Sequence, residues 1–234
     1  MNLTFYGELI TFMKWTHPTQ KQPKIVTLVC LGPTHQNYVQ GIFQKDLSDA
    51  LLGADEIWTL NRGGPVFRHD LLWVMDNIQG EADQWPAYGA TLWKHDKPII
   101  TSDNAEGWPD HVHLYPWDEI QTWLTETVKP AHDGWFHNSV PYILVYAAFI
   151  GVTELRVYGG DFASHNNGTV ESGHPNVAYW VGCLERTGLI VRPYANSQFL
   201  NASQRDYIYG YRYDPRKIKQ SRAKFRALIE KKCD

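Results

Sequence analysis

Cysteine is scarce in this chain: 234 residues hold three, Cys30, Cys183 and Cys233, odd in number, far apart and without a C-x-x-C pair. A disulfide frame needs paired cysteines and a zinc ribbon needs closely spaced thiols, so both are excluded and the three read as reduced thiols. No apolar run approaches the roughly 20 residues of a membrane-spanning helix, and the N-terminus lacks the basic-then-apolar layout of a secretory signal. The expectation is a cytoplasmic chain without a membrane span. Signature loops are missing too. The absence of G-x-x-x-x-G-K-[ST] and of G-x-S-x-G argues against P-loop phosphotransfer and serine hydrolysis. An aspartate-x-aspartate pair, used by many metal-dependent sugar transferases, is absent. His111-Val112-His113 and Glu81-Ala82-Asp83 are the nearest approaches to a metal motif, and zinc needs three or four convergent ligands. No metal and no cofactor is expected.

What is present fits a globular protein. Hydrophobic residues make up 43% and charged residues 20% of the chain, a density of apolar groups that disordered chains lack. The length suits one α/β domain, read as residues 25–205, with an N-terminal arm at 1–24 and a basic extension at 206–234. Ten Trp and thirteen Tyr exceed what packing usually needs, and such rings suit sugar or base contacts as well as a core. The net charge of -3 hides an asymmetry, because Arg212, Arg216, Lys217, Lys219, Arg222, Lys224, Arg226, Lys231 and Lys232 crowd the C-terminus. Asp214-Pro215 is a helix start, so the extension reads as a basic helix that either keeps its heads in water or holds a phosphate-rich acceptor. Nothing in the composition excludes a homo-oligomer.

Apolar runs and glycine turns alternate along the chain. Residues 25–31 are a continuous apolar and β-branched run, the mark of a strand buried on both faces of a parallel sheet. Gly32-Pro33-Thr34 breaks it, and Tyr38, Ile42, Phe43 and Leu47 then recur at helical spacing. Further strands are expected at 56–60 ending on Asn61, 71–75 ending on Asp76, 98–102, 154–158 and 189–192. Helices are expected at 85–95, 117–127, 139–151 and 174–188, the third apolar enough to lie buried against the sheet. This alternation predicts a Rossmann-like α/β fold, a mostly parallel sheet with helices on both faces, binding ligands outside the carboxyl ends of its strands.

The polar residues of interest fall at those ends or at the starts of the following helices. Gly32, Pro33 and Thr34 can seat a phosphate on unpaired amides at a helix N-terminus, with Asn61 and Ser139 adding hydrogen bonds. Gly159 and Gly160 lack Cβ atoms and permit backbone approach to a ligand, and they aim Asp161 at a ribose or a catalytic partner. Asp161 equally suits a helix or turn cap. His174, between Gly173 and Pro175 at a helix mouth, can deprotonate a hydroxyl.

In order and spacing, these residues together with Asn138 resemble the bacterial sialyltransferases of glycosyltransferase family 42. They also resemble a looser set of sialyltransferase-like and pterin pyrophosphokinase-like proteins that includes bacteriophage chains. The resemblance covers residues 25–200. It implies that His174 is the general base and that Gly32, Pro33, Thr34, Asn61, Asn138 and Ser139 hold a cytidine monophosphate sugar without metal. Two departures stand out. Leu31 replaces the asparagine that precedes the first motif glycine, and Ala163 stands where the first of two leaving-group tyrosines belongs, with Tyr179, His165 and Arg192 as stand-ins. Three functions follow: inverting transfer of a sugar from a nucleotide donor to a hydroxyl, magnesium-dependent diphosphate transfer with Asp76 or Asp161 as ligands, and a non-enzymatic phage module that binds or sequesters a nucleotide.

Overall fold

The computed structural model describes residues 15–43, 53–102, 105–132, 134–161, 173–193 and 199–200. Seven strands, β1 Ile25–Val29, β2 Glu56–Leu60, β3 Leu71–Val74, β4 Ile99–Thr101, β5 Val112–Leu114, β6 Glu154–Tyr158 and β7 Ile190–Pro193, form one sheet. Its order is β5-β4-β3-β2-β1-β6-β7. Every neighbouring pair is parallel, so the Rossmann-like α/β reading holds and the sheet is parallel throughout rather than mostly so.

Helices cover both faces. On one side lie α1 His35–Phe43, α2 Ile78–Gln84 and α3 Pro86–Trp93, with Tyr38, Ile78 and Leu92 buried against Val29, Leu72, Val74 and Ile99. On the other lie α4 Trp117–Trp123, α5 Ser139–Phe149 and α6 His174–Leu184, packed on Val26, Leu28, Trp58, Trp73, Leu155 and Val157. The last turn of α4 widens into a π-helix over Leu124–Val128 and ends at Lys129, whose φ is 52°. Helix α5 is buried from Val140 to Phe149 apart from Tyr142, which is why its sequence is apolar all round. It stops at Ile150, and Gly151 then turns with φ 83°.

Helix α2 had no sequence expectation. Seven residues with Gly80 inside and four polar side chains show no apolar period, and the helix rests on its cap, where Asn77 Oδ1 accepts from the Gly80 amide at 2.7 Å. The basic helix expected at 206–234, the end of the helix expected to reach Leu47, and His165 lie outside the described residues.

The described part of the arm docks on the amino end of the sheet. His17 lies between Glu56, the first residue of β2, and Tyr146 on α5: its Nε2 is 3.0 Å from Glu56 Oε2 and its Nδ1 is 2.7 Å from the Tyr146 hydroxyl. Thr19 donates its hydroxyl to Glu56 Oε1, the Trp58 indole donates to Oε2 at 2.7 Å, and the Trp15 indole donates to the Tyr146 hydroxyl at 3.2 Å. Burial opposes ionisation of Glu56. The hydrogen bonds from His17, Thr19 and Trp58, with the electrostatic pull of His17, outweigh it and hold the carboxyl below the usual glutamate range.

Candidate functional site

The chain leaves β1 toward β2 on one side and returns to β6 on the other, so the switch point of the sheet lies between the carboxyl ends of β1 and β6. The two strand ends are welded there. Cys30 N–H donates to Tyr158 O at 2.8 Å and Gly32 N–H donates to Gly159 O at 2.7 Å. A Cβ on Gly32 would overlap the Gly159 carbonyl, and one on Gly159, whose φ is 69°, would overlap the Cys30 carbonyl. Both glycines therefore serve backbone approach to backbone. Gly160 lies under the ring of the fully buried Phe199.

Asp161, 4% exposed, closes this junction. Its Oδ2 accepts the Thr34 amide at 2.6 Å and its Oδ1 accepts the Thr34 hydroxyl at 2.7 Å, while the Thr34 hydroxyl accepts the Gly159 amide at 3.0 Å. The carboxylate thus sits where a phosphate was expected, at the start of α1. The other turn amides are also engaged: Pro33 has none, and His35 N–H donates to Gly32 O at 2.9 Å. Of the two roles open to Asp161 in the sequence, ligand contact or cap, the geometry supplies the cap. Burial, and secondarily the Asp161 charge, pushes the Cys30 thiol far up, so this cysteine stays protonated.

A second cluster joins α5 to α6. Asn138 caps α5, its Oδ1 accepting the Val140 amide at 2.9 Å, and its Nδ2 donates to Gly173 O at 3.2 Å. That bond ties the start of α5 to the residue preceding His174. His174 Nε2 donates to Phe199 O at 2.7 Å, which orients the ring. Phe199 therefore bridges the clusters, its ring over Gly160 and its carbonyl on His174. Ser139, at the first turn of α5, is half-buried, and its hydroxyl has no hydrogen-bond partner among the described residues. Trp117 and Trp135 are each 39% exposed, Trp117 resting on Phe136 and Tyr142 and Trp135 stacked on His132. The other large aromatics of this region, Trp58, Trp73 and Trp180, are core.

Asn61 forms a third cluster, with Asp76. It follows β2 with φ 48°, and its Nδ2 donates to Asp76 Oδ2 at 3.3 Å. Among the described residues no side-chain hydrogen bond joins it to the other two clusters, though all three occupy the carboxyl edge. Of the stand-ins for the leaving-group tyrosine, Tyr179 is tied to the His132 backbone, accepting its amide at 2.8 Å and donating to its carbonyl at 3.0 Å. Arg192 sits on β7 beside Glu154 at 3.3 Å, near the amino end of that sheet edge. Of the histidine pair, His111 lies 3.0 Å from Leu92 O and only His113 is within β5. Among the described residues, no three His, Cys, Asp or Glu side chains are grouped so as to hold a metal ion.

Phe199 went unnoticed in the sequence because nothing local marks a ring that packs on a glycine 39 positions earlier. Comparisons with protein-family models, with curated proteins and with solved structures find no match. No helix of the described residues is long and apolar enough to cross a membrane.

Proposed function

We propose that this chain binds a nucleotide-activated sugar at the carboxyl edge of its sheet and transfers the sugar to a hydroxyl acceptor, with His174 as general base. The observation that carries the reading is the His174 ring. The Phe199 carbonyl orients the imidazole through Nε2–H, and Asn138 anchors the residue before it to the start of α5. In the transfer, His174 takes the acceptor proton as the acceptor oxygen bonds to the anomeric carbon, and the bond from that carbon to the phosphate oxygen breaks. The nucleotide leaves with its electron pair and the configuration inverts.

Asp161 already occupies the start of α1, so the reading assigns the donor phosphate to the Ser139 hydroxyl, unengaged among the described residues; the Val140 amide is taken by Asn138 and Pro141 has none, so the contact is to the hydroxyl. Trp117, which rests on Phe136 and Tyr142, and Trp135, stacked on His132, are partly exposed, and such rings suit a base or a sugar ring. Positioning and phosphate stabilisation supply most of the rate, and the base contributes about 10² to 10⁴.

The test offers cytidine monophosphate and uridine diphosphate sugars to the purified chain with a mixed panel of hydroxyl acceptors, measuring nucleotide release and, by calorimetry, nucleotide affinity. His174→Ala is expected to lower turnover by about 10² or more while affinity stays within about twofold. Nucleotide binding without turnover in the parent would replace the transferase with a sequestering module. Loss of turnover in chelator, restored by magnesium, would favour diphosphate transfer.

A further inference from the structure

In dinucleotide-binding Rossmann sheets an acidic side chain at the end of the strand next to the central one reads the ribose. Here β2 ends on an amide, Asn61, and the acid comes from the next strand. Asp76 follows β3, is exposed, and receives the Asn61 Nδ2 on Oδ2 at 3.3 Å. Its backbone is stapled to the end of β4, the Ser102 hydroxyl donating to Met75 O and the Thr101 hydroxyl to Asp76 O at 3.5 Å. The carboxylate is not used as the cap of α2, since Asn77 does that. No cation is paired with it among the described residues: Arg62, the nearest in sequence to Asn61, lies with its guanidinium 4.4 Å over the Trp85 ring. Asp76 therefore presents a fixed carboxylate with Oδ1 unengaged.

Asn61 is one of three described non-glycine residues with positive φ, with Gln20 and Lys129. Its φ of 48° places a non-glycine residue in the left-handed region, and its Oδ1 is buried without a hydrogen-bond partner among the described residues. A helix-forming turn needs neither feature. Both are explained if the backbone is bent to aim Nδ2 at Asp76 and hold the carboxylate over the strand ends.

We propose that Asp76, positioned by Asn61, accepts hydrogen bonds from the vicinal hydroxyls of a ribose, making this edge selective for ribonucleotides over deoxyribonucleotides. The assignment rests on the nucleotide reading of the same edge. Asn61 acts through Asp76 as a positioning residue.

The experiment measures calorimetric affinities for the four ribonucleoside 5′-monophosphates and their 2′-deoxy and 3′-deoxy forms, on the parent, on Asp76→Ala and on Asn61→Gly. Glycine keeps the left-handed turn while removing the amide, and Asp76 is exposed, so both variants should fold. The parent is expected to favour the preferred ribonucleotide over each deoxy form by about 10-fold or more, and both variants to bring that ratio to about 1. Equal affinity for all three sugars in the parent overturns the diol assignment and leaves the nucleotide reading standing. A ribose preference that survives Asp76→Ala or Asn61→Gly also overturns it. Absence of binding by every nucleotide overturns the assignment and the nucleotide reading together.

Discussion

Glu56→Gln should cost this protein a large part of its stability, because the carboxylate is the acceptor on which the arm is fastened to the sheet. Its side chain is wholly buried and that of His17 is 5% exposed, so solvent screens neither. Oε2 serves His17 and Trp58, and Oε1 serves Thr19. Glutamine keeps the shape but carries one oxygen and no charge: with that oxygen toward His17 and Trp58 its amide faces Thr19, whose hydroxyl must turn from donor to acceptor. Weakening charge-assisted hydrogen bonds at a buried site costs about 1–3 kcal/mol. At about 2–4 °C per kcal/mol for a chain of this size, the melting temperature should fall by roughly 2–12 °C. The pH dependence has a definite sign. The folded pKa of Glu56 is depressed, so its contribution is fully present above the unfolded value of about 4.3 and is lost as pH falls through the lower folded value. The gap between parent and variant, measured by urea unfolding with Trp fluorescence, should be constant above about pH 6 and narrow below about pH 4. A variant less than about 2 °C below the parent, with a parallel pH profile, would refute the reasoning.

Gly159→Ala should destabilise by about 1–3 kcal/mol in thermal unfolding, since an alanine would need φ near 69° with its Cβ on the Cys30 carbonyl. Asp161→Ala should cost about 0.5–2 kcal/mol through loss of the α1 cap while leaving nucleotide affinity within about twofold; lost affinity at unchanged stability would make Asp161 a ligand contact instead. Leu144→Ala, at a fully buried position on α5, should cost about 2–5 kcal/mol without shifting the denaturant slope. Alkylation of the folded protein should spare Cys30 and proceed only on denaturation, because burial keeps its thiol both covered and protonated.

The strands were legible because both faces of the sheet are covered, which makes a run such as Ile25–Val29 apolar without alternation. Helix α5 was legible for the same reason. Helix α2 was not, since its existence depends on the Asn77 cap and on packing against α3, where Ala82 touches the backbone of Gly89, rather than on any apolar period. The Glu56–His17–Tyr146 chain joins residues 39 and 129 positions apart, so no local pattern signals it. In the site, residue types and strand-end positions were readable, but partners were not. A glycine after a strand means that something approaches closely. Sequence does not say whether that is a phosphate or, as at Gly32 and Gly159, another strand end.

That distinction governs where a ligand can lie. A dianionic phosphate at Thr34 would have to evict the Asp161 carboxylate from an amide and a hydroxyl it holds at 2.6 and 2.7 Å, or else sit against it as a like charge. Helix ends attract anions by only about 0.3–1 kcal/mol, less than either cost. The start of α1 is therefore spent on joining β1 to β6, while among the described residues the Asp76 carboxylate beside Asn61 and the Ser139 hydroxyl beside the Asn138–Gly173 bond each keep hydrogen-bonding capacity. The first accepts hydrogen bonds and suits a diol, and the second donates one and suits an anion. On the proposed reading, a nucleotide would lie across the strand ends with its ribose toward Asp76 after β3 and its phosphate toward Ser139 on α5, leaving the Asp161 cap undisturbed.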